Sequence, residues 1–433
     1  MTPPAAVVAQ LHALERLVPG PQLGVENLEV NGHQTLASAF DADTAALTSS
    51  AASNLAAGIS SIDRDRVVTS MTGHVEVDGE PIPKWADLSG YYRTAGAPER
   101  YLQLHCNFPH HAAGVVELLR CDADRDAVQA AVLAWDPIEL EGALVEAGMI
   151  AARLRTIDEW NRHRHATATT PLPLISVERV GDAPPRPMSE RLRVLDCSRV
   201  LAGPIAGQTL AANGADVLRV GAPHLPSVDV AVLGTGFGKR NAHVDLETAE
   251  GCTTFAGLLG DADVWLDAYR PGAFAARGFG ADAIGPGGVV VQISAFDWIG
   301  PWANRRGFDS IVQSTTGIVE AGRTAAGSDG PTPLPVQLLD YATGYLASFA
   351  AQRLVNHQRT VGGTWLARLS LLRTRNWLVS LGGPNAFIPS SAVPLSAAMT
   401  TVDSPFGQLT APLPIGGTFS TPPQPLGSSP ATW

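Results

Sequence analysis

The sequence predicts an α/β protein in which a Rossmann-like open parallel sheet is flanked by helices and accompanied by a smaller α+β domain. Beyond residue 190, short apolar runs alternate with helical stretches, which is typical of parallel strands covered on both faces. A Pro-rich break at residues 180–190 separates this part from the preceding chain. The length of 433 residues exceeds one ordinary hydrophobic core and indicates at least two domains.

The predicted elements follow from hydrophobic periodicity and turn residues. An amphipathic helix is predicted at residues 7–17, a strand at 101–108, and helices at 111–119 and 138–147. The strands predicted for the large sheet are 193–196, 216–220, 243–246, 263–267 and 288–294.

Changes in composition divide the chain into four predicted parts. Residues 1–72 form an Ala/Ser-rich helical segment, and 73–182 form the smaller α+β domain. Residues 191–385 form the Rossmann-like domain, and the Pro/Gly-rich residues 386–433 are expected to wrap a surface.

Charge and cysteine content narrow the function classes. The net charge of −11 argues against binding to nucleic acid or to an anionic membrane surface. The four cysteines are scattered without metal-site or disulfide-framework spacing, so a reducing, cytoplasmic location is expected. No apolar run is long enough to span a membrane, and none resembles a secretory leader.

The densest group of potential metal ligands is His105, Cys106, His110 and His111. Their spacing matches no standard metal site, and no completing carboxylate is evident nearby. We therefore predict that the protein binds no metal ion.

Two glycine-bearing turns could approach a phosphate. The turn Leu201-Ala202-Gly203-Pro204 leads into a helix of small residues, and a helix N-terminus can face an anion. The second turn, GTGFGKR, is one residue short of the phosphate-loop spacing, and Lys239 stands where a dinucleotide fingerprint needs its third glycine. A P-loop NTPase is disfavoured, but Lys239 is expected to act as a phosphate-binding cation on a flexible turn.

Asp340 is a lone carboxylate among apolar and small residues in LPVQLLDYATGY. Such a carboxylate can attack a thioester carbonyl and form a covalent intermediate. Ala342, Thr343 and Gly344 are expected to leave room for an acyl group and to expose backbone N–H donors to an oxyanion. On spacing alone, the favoured interpretation of Asp340 is an N-cap of the helix that follows, and the two roles are compatible.

Six segments resemble, in family order, the family III CoA-transferases, the group of formyl-CoA transferase, carnitine CoA-transferase and alpha-methylacyl-CoA racemase. These segments are RVLAGPIAG, GADVLRV, GKRNAHVDL, ADVWLDAYRPGA, GFDSIVQSTTG and LLDYATG. The resemblance implies a homodimeric enzyme that binds coenzyme A as its acyl-CoA substrate, needs no metal or redox cofactor, and uses Asp340 as the acylated residue. The coenzyme A contacts that the resemblance implies are Leu201, Ala202, Lys239, Ala268, Tyr269, Arg270 and Arg306.

Phe308 favours acyl-CoA transfer over racemisation. The resemblance implies that racemases carry a histidine at this position, which removes and returns a proton together with the aspartate, and phenylalanine cannot transfer a proton. A family arginine is displaced, because Ala276 stands at the aligned position and Arg277 follows it. The predicted function is CoA transfer from an acyl-CoA to a carboxylic acid through an aspartyl-acyl anhydride and an aspartyl-CoA thioester.

The order of the parts departs from the family, because residues 85–179 resemble the smaller domain that relatives place after the aspartate. The chain therefore resembles a permuted or partly duplicated version, which leaves a catalytically silent binding subunit as an alternative. An acyl-CoA racemase or isomerase is a second alternative. A Rossmann-like oxidoreductase is a third, disfavoured because Gly221 stands where a ribose-binding acid is sought.

Overall fold

The computed structural model describes residues 2–96, 100–187, 191–388 and 398–433. The helices are α1 (Ala5–Leu17), α2 (Ala42–Ala56), α3 (Arg64–Thr72), α4 (Pro109–Leu119), α5 (Arg125–Leu133), α6 (Pro137–Glu146), α7 (Ile157–Asn161), α8 (Arg164–Thr169), α9 (Ala202–Ala212), α10 (Asp229–Thr235), α11 (Ala249–Asp261), α12 (Asp309–Thr315), α13 (Ile318–Ala326), α14 (Leu338–Val361) and α15 (Leu371–Leu381). The strands are β1 (Glu29–Asn31), β2 (Ser61–Asp63), β3 (Glu76–Val77), β4 (Glu80–Pro81), β5 (Gly90–Thr94), β6 (Arg100–Leu104), β7 (Ala151–Arg153), β8 (Ser176–Gly181), β9 (Arg193–Cys197), β10 (Asp216–Gly221), β11 (Lys239–His243), β12 (Val264–Asp267), β13 (Val289–Ser294), β14 (Thr364–Ser370), β15 (Met399–Ser404) and β16 (Gly407–Pro412).

The large sheet has seven strands in the order β11-β10-β9-β12-β13-β14-β8. Strands β9 to β14 run parallel, and β8 pairs antiparallel with β14 at one edge. Counted from β9, this is the 3-2-1-4-5-6 order of dinucleotide-binding folds. The predicted α/β fold with a large parallel sheet flanked by helices is confirmed.

The two faces of the sheet belong to different cores because side chains alternate along a strand. In β12, Val264 and Leu266 join the core formed with α9, α14 and the N-terminal helices, whereas Trp265 faces the core that contains Phe255 of α11. Apolar residues on both faces explain why these strands read as continuous hydrophobic runs.

Strands β9, β10, β12 and β13 begin and end within one residue of their predicted limits. The prediction for β11 at residues 243–246 was wrong, because this strand begins at Lys239 and ends at His243. The sequence of β11 is polar, although most of the strand is buried. Burial is possible because Asp196 neutralises the Lys239 charge within the fold. The predicted strand at 101–108 is β6, which ends at Leu104.

The N-terminal helices share the large core. Ser53 of α2 donates a hydrogen bond to Ser348 of α14 (Oγ–Oγ 3.1 Å), and Arg353 Nε donates to the Val18 carbonyl at 2.8 Å. Residues of β5 to β7 and α4 to α6 form a core of their own, which includes Tyr92 and Leu104. The four predicted domain limits themselves stay a prediction.

The C-terminal hairpin returns to the N-terminal half of the chain. Strands β15, β16, β3 and β4 form one antiparallel sheet, in which Leu409 faces Val77. This sheet packs on Leu233 and Phe237 next to α9. In the described part of the chain, no helix combines the length and apolar character of a membrane span.

Candidate active site

Loops at the carboxyl end of the parallel sheet enclose a cavity of about 460 Å³, here called cavity 1. Its walls include residues that directly follow β9, β10, β11, β12 and β13. Ligands of open α/β sheets bind at this end, beside the first strand, where the strand order reverses. The topology therefore builds this cavity from segments that are distant in sequence.

Arginine side chains give cavity 1 its charge. The arginines that line it are Arg199, Arg270, Arg277, Arg305 and Arg306, of which Arg305 forms a buried ion pair with Glu141. Burial and the neighbouring Arg270 charge lower the pKa of Arg306, and burial followed by Arg306 and Arg199 lowers the pKa of His110. Cationic groups that lower each other's pKa lie close together. Such a cluster at cavity 1 is suited to bind an anion that carries several negative charges.

The turn before α9 is strained. Val200 has φ 71°, a left-handed conformation that a β-branched residue rarely adopts, and Leu201 follows as the N-cap of α9. Ala202, the first residue of α9, lines cavity 1, and its backbone N–H lowers the pKa of the Asp340 carboxyl group.

Asp340 lies in the first turn of α14, two residues after the helix begins at Leu338. The interpretation of Asp340 as an N-cap was wrong, because Gln337 occupies that position. Its side chain is buried, and its own N–H donates to Asp309 Oδ2 at 2.9 Å. The carboxyl group is thus held between two helix N-termini, those of α9 and α14.

Ala342, Thr343 and Gly344 do not have the role that the sequence suggested. They lie inside α14, where their N–H groups belong to the helix, and they do not line cavity 1. A Cβ at Gly344 would lie 2.6 Å from the Ala202 carbonyl oxygen, so the glycine allows α14 to pack tightly on α9. The N–H available to an oxyanion near Asp340 is that of Ala202 instead.

Two carboxyl groups titrate together at this site. Burial raises the pKa of Asp340 well above its ordinary value, the nearby Asp309 raises it further, and the Ala202 N–H partly offsets both effects. Burial raises the pKa of Asp309 to about 6, against hydrogen bonds from the Asp340 N–H and the Gln313 amide. A desolvated carboxylate is poorly stabilised by its surroundings, which favours its use as a nucleophile.

A second cavity of about 300 Å³, cavity 2, lies on the other side of the Asp340 carboxyl group. Val200, Leu201, Phe308 and Asp340 line both cavities and form the wall between them. The remaining walls of cavity 2 combine apolar and polar side chains, and they include the end of α3 and residues 412–416 after β16. Asp340 therefore lines two cavities, of which the first has several arginines and the second has one lysine, Lys84.

The structure brings most of the predicted site residues together. Those that line cavity 1 are Leu201, Ala202, Ala268, Tyr269, Arg270, Arg306 and Asp340. Phe308 stands beside Asp340 as the sequence motif suggested.

Lys239 is the exception. Its side chain is 1% exposed and does not line cavity 1. The ammonium donates to Asp196 Oδ2 at 2.8 Å and to the Pro204 carbonyl at 2.7 Å. The prediction of a flexible phosphate-binding cation was wrong, because Lys239 begins β11 and joins β11 to β9 and to the first turn of α9.

Three arginines of cavity 1, namely Arg199, Arg277 and Arg305, were not among the predicted contacts. Arg199 lies two residues after the end of β9, and burial lowers its pKa although the nearby Tyr269 raises it. Its position at the end of the first strand was the signal that could have identified it. Arg277, displaced by one residue from the expected position, also lines the cavity, whereas Ala276 does not.

The histidine and cysteine group divides between the two cavities. His105 lines cavity 2, and His110 and His111 line cavity 1, while the Cys106 thiol has its pKa raised to about 12 by burial. Among the described residues, the three potential ligands whose atoms lie within 4.8 Å of one another are His224, Asp245 and Glu247. They lie at the wall of cavity 1, and two of the three are exposed.

In a comparison with known protein families, residues 190–389 of this chain match CoA-transferase family III. An acetyl-coenzyme A transferase of Hypoxylon pulicicidum is 31% identical over 46% of this chain and 34% of that protein. A succinate–glutarate CoA-transferase of Agrobacterium fabrum is 32% identical over 41% of this chain and 49% of that protein. The chain thus spans about half, or less, of the length of these curated relatives.

The solved structures to which this chain is similar include a CAIB/BAIF family protein from Brucella suis. It is 26% identical over 44% of this chain and 54% of that chain, with a TM-score of 0.40. The family match covers every predicted site residue from Leu201 to Asp340. Over residues 190–389, this chain is thus similar to CoA-transferase family III.

Proposed function

We propose that the chain is a CoA-transferase that moves CoA from an acyl-CoA thioester to a carboxylic acid, with Asp340 as the residue that is acylated. Cavity 1 would hold the coenzyme A part, with its phosphates against Arg199, Arg270 and Arg306 and its thioester at Asp340. The relatives that are named as CoA-transferases support this class of reaction. The alternating pair of covalent intermediates described below is our own proposal for this chain.

The first half-reaction transfers the acyl group to the protein. The Asp340 carboxylate attacks the thioester carbonyl carbon, the C–S bond breaks, and CoA leaves as the thiolate. The Ala202 N–H is positioned to donate to the oxyanion that forms on the way. The product is an anhydride between Asp340 and the acyl group.

The second exchange transfers CoA to the new acid. The CoA thiolate attacks the Asp340 carbonyl carbon, releases the donor acid as a carboxylate and leaves an aspartyl-CoA thioester. The acceptor carboxylate attacks that thioester, which releases CoA thiolate and forms a second anhydride. Attack of the thiolate on the acceptor side of this anhydride yields the new acyl-CoA and regenerates the Asp340 carboxylate.

One observation carries the proposal: a buried carboxylate lines both an arginine-lined cavity and a second cavity that has no arginine among its described lining residues. Burial shields an anhydride from water, which would otherwise hydrolyse it. Phe308 lines both cavities beside Asp340 and cannot act as a second base, which supports transfer over racemisation.

The proposal also includes the predicted assembly and setting. We propose a cytoplasmic homodimer that needs neither a metal nor a redox cofactor, with the predicted domain limits and a permuted or partly duplicated order. The chemistry requires only a thioester, a carboxylic acid and Asp340. Light scattering of the purified chain and activity after treatment with a chelator test the dimer and the metal independence.

Intact-protein mass spectrometry tests the proposed function. The chain is mixed with a panel of acyl-CoAs and quenched, and a parallel sample is treated with hydroxylamine. We expect an added acyl group, or the mass of CoA less one water, and a hydroxamate at residue 340 after trapping.

Asp340→Asn is expected to remove every adduct. Asp182→Asn, which changes an exposed carboxylate outside both cavities, serves as the matched control and is expected to keep them. An adduct that persists in Asp340→Asn would overturn the assignment of Asp340. Uptake of α-deuterium from heavy water without an acceptor acid would favour a racemase instead.

A further inference from the structure

His105 stacks on Phe308 in the wall of cavity 2. The two ring centroids are 4.1 Å apart, and Trp85 meets the imidazole edge-on with 5.6 Å between centroids. His105 and Trp85 line cavity 2, which Phe308 and Asp340 share with cavity 1. Because His105 lies outside the family match at residues 190–389, its role must be read from its own surroundings.

The imidazole of His105 is buried and has an unpaired nitrogen. The residue is 5% exposed, and its Nδ1 has no hydrogen-bond partner among the described residues. Stacking on Phe308 occupies a face of the ring and leaves both nitrogens at its edge. Buried polar groups are normally satisfied, so an unpaired imidazole in a cavity wall indicates a partner on a ligand.

Two other polar side chains of cavity 2 are already engaged with the protein itself. The Lys84 ammonium donates to the Thr72 carbonyl, and the Gln208 amide donates to the Gly234 carbonyl at 2.7 Å. His105 differs from both, because its ring can form a hydrogen bond with a substrate without giving up one within the fold.

The protonation state of His105 limits what the ring can do. Burial, followed by the charge of the nearby His111, lowers the pKa of this imidazole to about 3, so the ring is neutral at physiological pH. A neutral imidazole offers one N–H donor and one acceptor. With so low a pKa, it is poorly matched to accept a proton near pH 7 as a general base. Its N–H donor is the group that remains useful.

The proposed reaction creates negative charge on an oxygen close to this ring. When the Asp340 carboxylate attacks the thioester carbon, the carbonyl oxygen becomes an oxyanion. With CoA in cavity 1, the acyl group would extend past Asp340 into cavity 2, where His105 lies. A neutral N–H held rigidly in a site shielded from water stabilises such a charge, as in an oxyanion hole.

We infer that His105 is a catalytic residue whose N–H donates a hydrogen bond to the thioester carbonyl oxygen and to the oxyanion that forms there. It is the second donor, beside the Ala202 N–H. No bond to His105 forms, and its proton stays on the ring. The electron pair on the oxyanion returns to the carbonyl bond as CoA leaves as the thiolate. The assignment rests on the proposed function, because it adds a residue to the same reaction.

Stopped-flow acylation of Asp340 at saturating acyl-CoA tests the assignment in the full chain. His105→Phe keeps an aromatic ring on Phe308 but has no N–H, so the acylation rate constant should fall about 100-fold, as for the loss of one oxyanion donor. Free CoA has no thioester, so its affinity in calorimetric titration should be unchanged. An acylation rate constant equal to that of the wild type would overturn the assignment.

His357→Phe is the matched control. His357 meets Trp365 edge-on at 5.0 Å and lines neither cavity, so this variant should keep the wild-type rate constant. Two conservative variants restore a neutral donor: His105→Asn places an amide N–H near the Nδ1 position, and His105→Gln places one near the Nε2 position. At least one of them should acylate about tenfold faster than His105→Phe, and it identifies the donating nitrogen.

Infrared spectroscopy detects the hydrogen bond without any acyl transfer. The probe is a ketone analogue of the acyl-CoA that labels Asp340 fastest, in which a methylene group replaces the thioester sulfur and prevents the loss of CoA. The hydrogen bond from His105 should place the bound carbonyl band at lower frequency in the wild type than in His105→Phe. Equal frequencies in the two proteins would overturn the assignment, whatever the stability of the variant.

The pH profile separates a hydrogen-bond donor from a base. The His105 ring neither gains nor loses a proton between pH 5 and 8.5, so His105→Phe should lower the acylation rate by the same factor throughout this range. Loss of the rising limb in His105→Phe would instead identify His105 as a proton acceptor and would overturn its assignment as a donor.

The two proposals fail in different ways. If no acyl-CoA labels Asp340 in the wild type, the proposed transferase is wrong, and the role of His105 falls with it. If acyl-CoAs label Asp340 equally fast in the wild type and in His105→Phe, the transferase stands and only the role of His105 is overturned.

Discussion

Cavity 1 and cavity 2 share the Asp340 carboxyl group but are built in different ways. Cavity 1 lies at the carboxyl end of the parallel sheet, is lined by arginines, and comes mostly from residues within the family match. Cavity 2 is lined by the end of α3 and by residues 412–416, has no arginine among its described lining residues, and comes in large part from residues outside that match.

Cavity 1 therefore lies mostly within the region of family similarity, and cavity 2 lies largely outside it. Under the proposed function, the sheet and its arginines would meet the part that all CoA thioesters have in common, namely the charged nucleotide. The walls of cavity 2 meet the part that differs between substrates. Changes in cavity 1 should therefore affect all thioesters alike, whereas changes in cavity 2 should affect one acid relative to another.

The largest effect is expected from removing the cations of cavity 1. In the double variant Arg199→Ala with Arg306→Ala, two side chains placed to contact phosphates are lost, and the affinity for free CoA should fall about 100-fold. Calorimetric titration with CoA measures the change. Lys84→Met should leave CoA affinity unchanged, and a similar loss in both variants would contradict the division between the cavities.

A smaller effect is expected from disturbing the wall between the cavities. In Gly344→Ala, the new methyl group would lie 2.6 Å from the Ala202 carbonyl oxygen and 2.8 Å from Ile205 Cγ2, so α9 must move away from α14. Overpacking of this kind should lower the free energy of unfolding by about 1–3 kcal/mol. Urea denaturation measures it.

Gly142→Ala is the matched control for that substitution. Gly142 lies in α6, and a Cβ there would meet nothing within 4 Å. Alanine should therefore stabilise this helix by about 0.5–1 kcal/mol. If both variants changed stability in the same direction, the wall contact would not be the cause.

The same contrast explains how much of the site the sequence could predict. The parallel strands were readable because they are buried on both faces, and their loops necessarily meet at one end of the sheet. Ala268, Tyr269 and Arg270 follow β12 there, so their place in cavity 1 could be expected. The walls of cavity 2 come from opposite ends of the chain, and no local pattern reveals that residues 70–73 and 412–416 meet.

Lys239 shows a second limit of sequence reasoning. A lysine after a glycine-rich turn indicates a solvent-facing cation, but its partner Asp196 lies in a different strand. Strand β10 lies between β9 and β11, so the Lys239–Asp196 ion pair is a tertiary contact between non-adjacent strands. Hydrophobic periodicity along the sequence does not predict such a contact. His105 is similar, because its stacking on Phe308 joins two segments that are far apart in sequence.

The pH dependence of Asp340 acylation should respond to its neighbour Asp309. In Asp309→Asn, the side-chain oxygen can still accept the Asp340 N–H, but the negative charge that raises the Asp340 pKa is absent. The reactive carboxylate then forms at lower pH, so the rising limb of the acylation rate should move to lower pH. Stopped-flow acylation measured from pH 5 to 8.5 tests this.

Asp261→Asn, at the exposed end of α11, serves as the control for that profile and should leave it in place. A shift of the limb to higher pH in Asp309→Asn would contradict the assigned repulsion between the two carboxyl groups. An unchanged limb would mean that Asp309 does not influence the ionisation of the nucleophile.

The smallest expected effect concerns stability. It tests whether ionisation of the buried Asp340 lowers the free energy of unfolding. Burial raises the folded-state pKa of Asp340 above the value of about 3.9 for an unfolded aspartate. A group whose pKa is raised on folding contributes its full stability below the unfolded pKa and loses it as pH rises through the folded pKa. Asp340→Asn does not titrate, so its Tm should exceed that of the wild type at pH 8, and the difference should shrink toward pH 4. Calorimetric scans across this pH range measure the difference, and the exposed Asp182→Asn is the control. A Tm of Asp340→Asn below that of the wild type at pH 8 would contradict this expectation. Because no cation among the described residues forms an ion pair with Asp340, its ionised form is destabilised at the position where, under the proposed function, it attacks the thioester.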